Sequence, residues 1–453
     1  MKARARWRRS RAGIIVVATL LTAATLVGCG SSRDDVVSIA VLGDTQMMTE
    51  PAPTALAGKF ADETTWLQTH APDLKLSFTI QLGDLTNGTF KSGGFTHPAT
   101  NGLGLTEMAY AKQAMDKLWL PAGGAAVPWT VSLGNHDIDQ WCWGNLVSTA
   151  VVSNDPRCAR QGGGVIVDGG GTTRTTSNFV EEFPRNYFTA MPTWGGSRTQ
   201  TDVNDNFHRF RVGAQTWLVV ALMWAPQQGD FDWANTVIDR EVARDPGVRV
   251  VVATHGFMDP AWSGDPTTLP SGVANGNARE LYDQVLRLHP EIRLVLGGHW
   301  ATPRVPAPGK QCLDPSTPTT FEACSWVRRR TVPVPAEGSR PAFTFHALLT
   351  DYSNNGDATR QEFQVSADED RSSFDTVNRH TTDNAFFRLL TFDGSRKTIR
   401  VRTITSPTNV APSSPLPDGC ARVSLRAFDL PPVCGKTDAA YGTEQDDYTL
   451  RYK

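Results

Sequence analysis

The stretch Val127-Pro128-Trp129-Thr130-Val131-Ser132-Leu133 is a short apolar run that stops on Gly134 and opens at once into Asn135-His136-Asp137. A run of this length, rich in β-branched and aromatic residues and closed by glycine, predicts a buried strand. The residues after it bring an amide, an imidazole and a carboxylate to the strand end, where a rigid sheet can hold a converging loop.

Four further runs share this design. Val37 to Leu42 leads into Gly43-Asp44-Thr45-Gln46, and Leu76 to Leu82 into Gly83-Asp84. Val248 to Ala253 leads into Thr254-His255-Gly256, and Ile292 to Leu296 into Gly297-Gly298-His299. Segments with apolar residues at helical spacing lie between them, at about 55–70, 105–119, 230–244 and 277–289. This alternation predicts an α/β or mixed layered (α+β) fold with its site at the strand C-terminal ends. More strands are expected at Phe207 to Val212, Thr216 to Leu222, Ala342 to Leu349, Ala385 to Phe392 and Lys397 to Thr405. Polar or Pro-rich insertions at 138–206, 302–341 and 354–383 read as loops.

A lone Gly-Asp is usually a turn, and a lone His at a strand end is usually structural. Five such blocks in order make a different object. Asp, Asn and His together form an oxygen and nitrogen donor set suited to Mn, Fe or Zn.

With these blocks the sequence resembles the calcineurin-like metallophosphoesterases, whose pattern is D-x-H, G-D, G-N-H-D, a later His and G-H-x-H. The likeness runs from about residue 36 to 405 and is nearest to the subgroup that writes G-D-x-Q first. It implies a four-layer β-sandwich flanked by helices, with two divalent ions (Mn, Fe, Zn or Mg) at the sandwich edge. Carried over by position, Asp84 would bridge the ions, Asn135, His255 and His299 would complete one site, and Asp44 with Gln46 would serve the other. His136 would protonate or hydrogen-bond the leaving oxygen, and Asp137 would orient its ring. The implied activity is hydrolysis of a phosphomonoester or phosphodiester by a metal-activated hydroxide.

Two departures fall on one metal position. Gln46 stands where most of the family has His, and the last block reads His299-Trp300-Ala301, without the second His. The Asp44/Gln46 position is therefore expected to bind metal more weakly and to prefer Mn or Mg over Zn. These losses also motivate an alternative: a degenerate, non-catalytic binding or surface-interaction protein that keeps the fold and one metal.

Of 453 residues, 44 are Lys or Arg and 46 are Asp or Glu, a balance that argues against nucleic-acid coating. The charges are unevenly placed. Lys2, Arg4, Arg6, Arg8, Arg9 and Arg11 precede an apolar run from Gly13 to Val27, which is a signal-peptide layout. Leu26-Val27-Gly28-Cys29 resembles a bacterial lipobox, which implies lipid attachment at Cys29 and an exported protein held at the membrane. Loss of residues 1–28 removes six cations and no anion, which takes the formal charge from −2 to −8. The expected divisions are a leader at 1–28, a tether at 29–35, the catalytic domain at 36–405 and a disulfide-closed extension at 406–453.

Six further cysteines fall as neighbours, Cys142 with Cys158, Cys312 with Cys324, and Cys420 with Cys434. In an exported chain an even set favours disulfides over buried thiols, and no C-x2-C pair suggests a metal site. Trp141 and Trp143 read as loop packing in preference to a substrate wall, and Arg328 to Arg330 as a solvated basic face in preference to a phosphate clamp. His208 and His346 read as structural, and Asp351-Tyr352 as a turn.

Overall fold

The computed structural model describes residues 35–49, 59–86, 107–138 without 122, 176–258, 262–300, 329–350, 386–405 and 447–452, with two-residue strands between 420 and 434. Cys29, Trp141, Cys142, Trp143, Cys158, Ala301, Cys312, Cys324, Arg328 and Asp351 lie outside the described residues, as do the leader and the tether up to residue 34.

The chain runs β1 (Val36–Leu42), α1 (Gln46–Thr49), α2 (Lys59–Leu74), β2 (Leu76–Gln81), α3 (Glu107–Trp119) and β3 (Trp129–Val131). It continues through α4 (Ser177–Glu182), α5 (Arg185–Thr189), β4 (Trp194–Ser197), β5 (Asn206–Val212), β6 (Gln215–Leu222), α6 (Gln228–Arg244) and β7 (Arg249–Thr254). Then come α7 (Ala278–Gln284), β8 (Ile292–Gly297), β9 (Arg329–Val334), β10 (Phe343–Leu349), β11 (Phe386–Asp393), β12 (Thr398–Thr405) and, after two minimal ladders, β13 (Asp447–Arg451).

Two mixed sheets result. The first has the order β13-β12-β11-β1-β2-β3, and the second β4-β5-β6-β7-β8-β10-β9. β1, β2 and β3 are parallel, as are β6, β7, β8 and β10, so within each sheet these strands all end at one edge. The burial pattern explains the stacking. Val37, Ile39 and Val41 of β1 join Val251 and Ala253 of β7 in the core between the sheets. Ala40 and Leu42 point the other way, onto Phe60, Leu67, Ala71 and Leu74 of α2. Those four helix positions recur at helical spacing and form one apolar face. On the far side, Val250 and Val252 pack beneath Phe231, Ala234 and Ile238 of α6. A helix, sheet, sheet, helix order follows, because each strand has apolar residues on both faces and both need cover.

Three expectations are corrected. The segment 138–206 is not all loop: α4, α5 and β4 lie at its end, where Phe183 and Phe188 pack edge-on against Trp129 at 5.3 and 4.9 Å. Its Gly content is concentrated before residue 176, and the aromatic residues after it have the apolar surface to cover sheet one. The Pro-rich segment 302–341 ends in β9, which pairs with β10. The boundary expected at 405 does not close the domain either, since β13 pairs with β12 along Thr398–Arg402 as the edge of the first sheet. In the minimal ladders Cys420 takes the register position opposite Cys434.

Candidate metal centre

All five strand-end blocks meet at the common edge. Leu42, Gln81 and Val131 lie in one register across β1, β2 and β3, and Ala253 pairs with Leu296 across β7 and β8. Gly83 permits the closest approach. Its φ is +101°, and a Cβ there would meet the Gly134 amide nitrogen, the Ser132 carbonyl and the His255 Nδ1. Only glycine fits such a conformation and such a contact.

Asp84, His255 and His299 form the centre, each offering a ligand atom within 4.8 Å of the others. Asp84 Oδ2 lies 3.2 Å from His255 Nε2, 3.3 Å from Gln46 Nε2 and 3.9 Å from His136 Nε2, while Oδ1 accepts the His136 backbone N–H at 2.9 Å. Asn135 Oδ1 is 3.1 Å from His255 Nε2. Asp44 accepts the His299 backbone N–H through both oxygens, at 3.0 and 3.1 Å, with Oδ2 3.9 Å from His255 Nε2. The structure thus gathers Asp44, Gln46, Asp84, Asn135, His136, His255 and His299.

Backbone strain accompanies this convergence. Asp84 and His299 have φ of +49° and +70°, which non-glycine residues rarely adopt. Strain of order 1 kcal/mol at each persists where the surroundings over-determine the conformation, and it clusters at functional sites.

Asp137 plays a different part from the one expected. Its Oδ1 accepts the backbone N–H groups of Leu85 and Thr86 at 2.9 and 3.3 Å, and its Oδ2 accepts that of Gly134 at 2.9 Å. The carboxylate therefore ties the loop after β2 to the loop after β3, and its hydrogen bonds go to backbone instead of to the His136 ring. Burial, reinforced by the charge of Asp84, pushes the Asp137 carboxyl up to about 7.

The electrostatics favour a cation. Burial alone would raise Asp84, but the imidazoles of His255 and His136 outweigh it and hold the carboxyl well below the usual range. Burial would lower His255, yet Asp84 beside it raises it. His299 is pushed down to about 3 by burial and then by His255, so its ring is neutral and one of its nitrogens has a lone pair available. The Leu82 carbonyl, 2.7 Å from His255 Nδ1, fixes the hydrogen on that nitrogen and turns Nε2 toward Asp84 and Asn135. Gln46 Oε1 is buried and meets no hydrogen-bond donor among the described residues. A buried acceptor without a donor, beside a carboxylate and the neutral His299 imidazole, fits a divalent cation.

His208 and His346 are structural. His208 is buried against Phe78 and Trp194, with Nδ1 2.9 Å from Thr193 Oγ1, and burial pushes it down to about 3. His346 lies between Thr331 Oγ1 and the Arg451 carbonyl, at 3.1 and 3.3 Å. Arg330 is no phosphate clamp, because its Nε donates to the Trp262 carbonyl at 2.5 Å. Neither is Arg329, whose guanidinium stacks 4.1 Å from the Tyr448 ring centroid.

Two residues escaped the sequence reading. Gln81 is fully buried on β2. Its Oε1 accepts the Gly83 N–H at 2.6 Å, and its Nε2 donates to the carbonyls of Gly83 and Gly43 at 2.9 and 3.1 Å. It thus braces the loops carrying Asp44 and Asp84. Trp224 follows β6 at the same sheet edge, and its ring lies 4.4 Å from that of His299. The signal for Trp224 was present, since β6 is a strand end beside β7. Gln81 gave none, because a polar residue inside an apolar run is not by itself informative.

The family model for calcineurin-like phosphoesterases matches residues 37–256, a shorter span than the likeness read from 36 to 405. No curated protein matches the chain. Among solved structures it is similar to one titled "GAP50 the anchor in the inner membrane complex of Plasmodium", at 12% identity over 83% of this chain and 86% of that chain, with a TM-score of 0.34. So distant a likeness carries no weight for activity. The strand-end blocks Asp44, Asp84, Asn135-His136-Asp137 and His255 all fall inside the matched span, and the chain carries a calcineurin-like phosphoesterase domain over residues 37–256.

Proposed function

We propose that the chain is a metal-dependent phosphoester hydrolase. The observation that carries this reading is the closure of Asp84, His255 and His299 to within 4.8 Å, with the His136 ring alongside. Asp84, Asn135, His255 and His299 would hold one divalent cation, and Asp44, Asp84 and Gln46 a second, weaker one. When bound, such ions supply Lewis-acid activation of water and neutralise phosphoryl charge.

The chain's own residues supply the rest. Asp84 faces both donor groups from a central position and is held there by the His136 amide. His136 retains 12% side-chain exposure at the mouth, so its Nε2–H can reach a leaving oxygen and transfer its proton as the P–O bond breaks. Asp137 locks the His136 loop against the Asp84 loop. The sequence layout of residues 1–29 supports export and lipid attachment at Cys29, which would place this activity at a membrane surface.

The test is hydrolysis of chromogenic phosphomonoesters and phosphodiesters with Mn, Mg, Zn or Ca supplied. Asp84→Ala should lose at least about 10³-fold in turnover and most metal affinity, and wild-type-like turnover in that variant refutes the mechanism. A second reading, a binding protein with one metal and no turnover, is favoured specifically by Gln46 and Ala301. It gains if the wild type binds one cation and hydrolyses none of the panel.

A further inference from the structure

The imidazoles of His255 and His299 are oriented by different means. His255 is fixed by the Leu82 carbonyl at Nδ1 and by Asn135 and Asp84 at Nε2. No hydrogen bond among the described residues fixes the His299 ring, although its backbone sits at φ +70°. What surrounds it is aromatic. The Trp224 ring lies 4.4 Å away at 47°, Trp300 4.8 Å away at 76°, and His255 5.1 Å away at 67°. Trp224 also meets His255 edge-on at 5.5 Å.

Trp224 is itself held firmly. It is 1% exposed, and its backbone N–H donates 2.7 Å to the Leu133 carbonyl, directly before the Gly134–Asp137 block. Met223 N–H donates to Asp205 Oδ1 at 3.1 Å, Gln227 N–H to Asp230 Oδ2 at 2.7 Å, and Asn277 Nδ2 to the Pro226 carbonyl at 3.0 Å. Arg198 Nε lies 3.0 Å from both Asp205 and Asp230, so one guanidinium clamps the two carboxylates that pin this segment. Ala225 takes φ +48°, which turns the chain so that the indole faces the centre. A Cβ on Gly256 would collide with the indole, so the residue after His255 leaves it room.

We infer that Trp224 is a positioning residue that sets the His299 ring, and secondarily the His255 ring, in ligating orientation. The inference rests on the metal-dependent reading above. An apolar wall of this rigidity does for His299 what a hydrogen-bonded carbonyl does for His255: it limits the ring to one rotamer before a cation arrives.

The test is calorimetric titration of the full chain with Mn or Zn, with thermal stability measured separately. Trp224→Leu should weaken binding at least about tenfold, and Trp224→Phe, which keeps an aromatic face, by no more than about threefold. Trp217→Leu removes an equally buried indole from the core between the sheets. It should lower stability and leave affinity unchanged. In a His299→Ala background, Trp224→Leu should cause a much smaller loss, because most of its effect runs through that ring and only the lesser contact with His255 remains. Visible absorption of the Co-substituted protein should change in Trp224→Leu and not in Trp217→Leu. If Trp224→Leu does not fold, Gly256→Ala displaces the indole instead and should show the same loss. Unchanged affinity in Trp224→Leu or in Gly256→Ala, an equal loss in Trp217→Leu, or full additivity with His299→Ala overturns the inference and leaves the metal reading intact. A wild type that binds no divalent cation overturns both.

Discussion

Replacing Gln81 by Met isolates how much the centre owes to one buried amide. The two side chains are similar in length and volume, so the exchange removes hydrogen bonds without opening a cavity. Three short bonds go, one from Gly83 N–H and one to each of the Gly83 and Gly43 carbonyls, all between 2.6 and 3.1 Å, together with a longer, weaker one to Thr45 Oγ1 at 3.4 Å. At about 1 kcal/mol net for each short bond, the loss is about 3 kcal/mol. It exceeds that figure if the buried Gly83 N–H finds no substitute acceptor. Since 1.4 kcal/mol is about a factor of ten, the folding equilibrium should shift by roughly 10². The loops in question carry Asp44 and Asp84, so Mn affinity should fall as well, by about tenfold. Urea unfolding and calorimetric titration read the two quantities separately. A stability loss below about 1 kcal/mol together with unchanged Mn affinity would show that the sheet ladder alone places these loops, and would refute the bracing role.

Two further perturbations probe groups of different kinds. Glu63 of α2 is buried, neither carboxyl oxygen meets a donor among the described residues, and burial raises its pKa well above 4.5. The unfolded chain releases this proton at lower pH than the folded one, so Glu63 erodes stability as pH rises above 4.5. Glu63→Met should therefore gain about 1–3 kcal/mol at pH 8 and little at pH 4, and equal gains at both pH values contradict the assignment. His136→Ala, assayed with Mn, should lose about 10²–10⁴-fold on an alkyl phosphate, whose leaving oxygen needs a proton. On a nitrophenyl phosphate the loss should be under about tenfold, and equal losses on both substrates exclude a leaving-group donor.

The fold was legible where chemistry and periodicity coincided. Each of the five runs is a strand, and each places its next polar residues at one edge; in four of them glycine directly after the run frees the turn, and after β7 Thr254 and His255 come first. What could not be read depended on distant partners. The pinning of the loop before Asp137 by its carboxylate needs backbone groups from residues 85, 86 and 134 together. The His299 ring relies on Trp224, which is 75 positions earlier and joins it only because β6, β7 and β8 are parallel neighbours. The helices at 177–189 were hidden because a Gly- and Thr-rich stretch dominated the composition of the window that contains them. β13 was hidden because a five-residue edge strand after a polar stretch has little pattern of its own.

The pairing of β1 with β11 has a consequence for how the molecule comes into being. Ser38 and Thr391 share a hydrogen bond across 353 residues of chain, so the centre of the first sheet cannot close until most of the polypeptide exists. Contacts of such long range make folding slow and deny any early fragment a stable resting point. The span 37–256 is therefore no autonomous unit, since without β8, β10, β11 and β12 both sheets are left with open central edges. Until residue 393 emerges, β1 is paired with β2 on one side only and leaves an open apolar edge at risk of aggregation on the other.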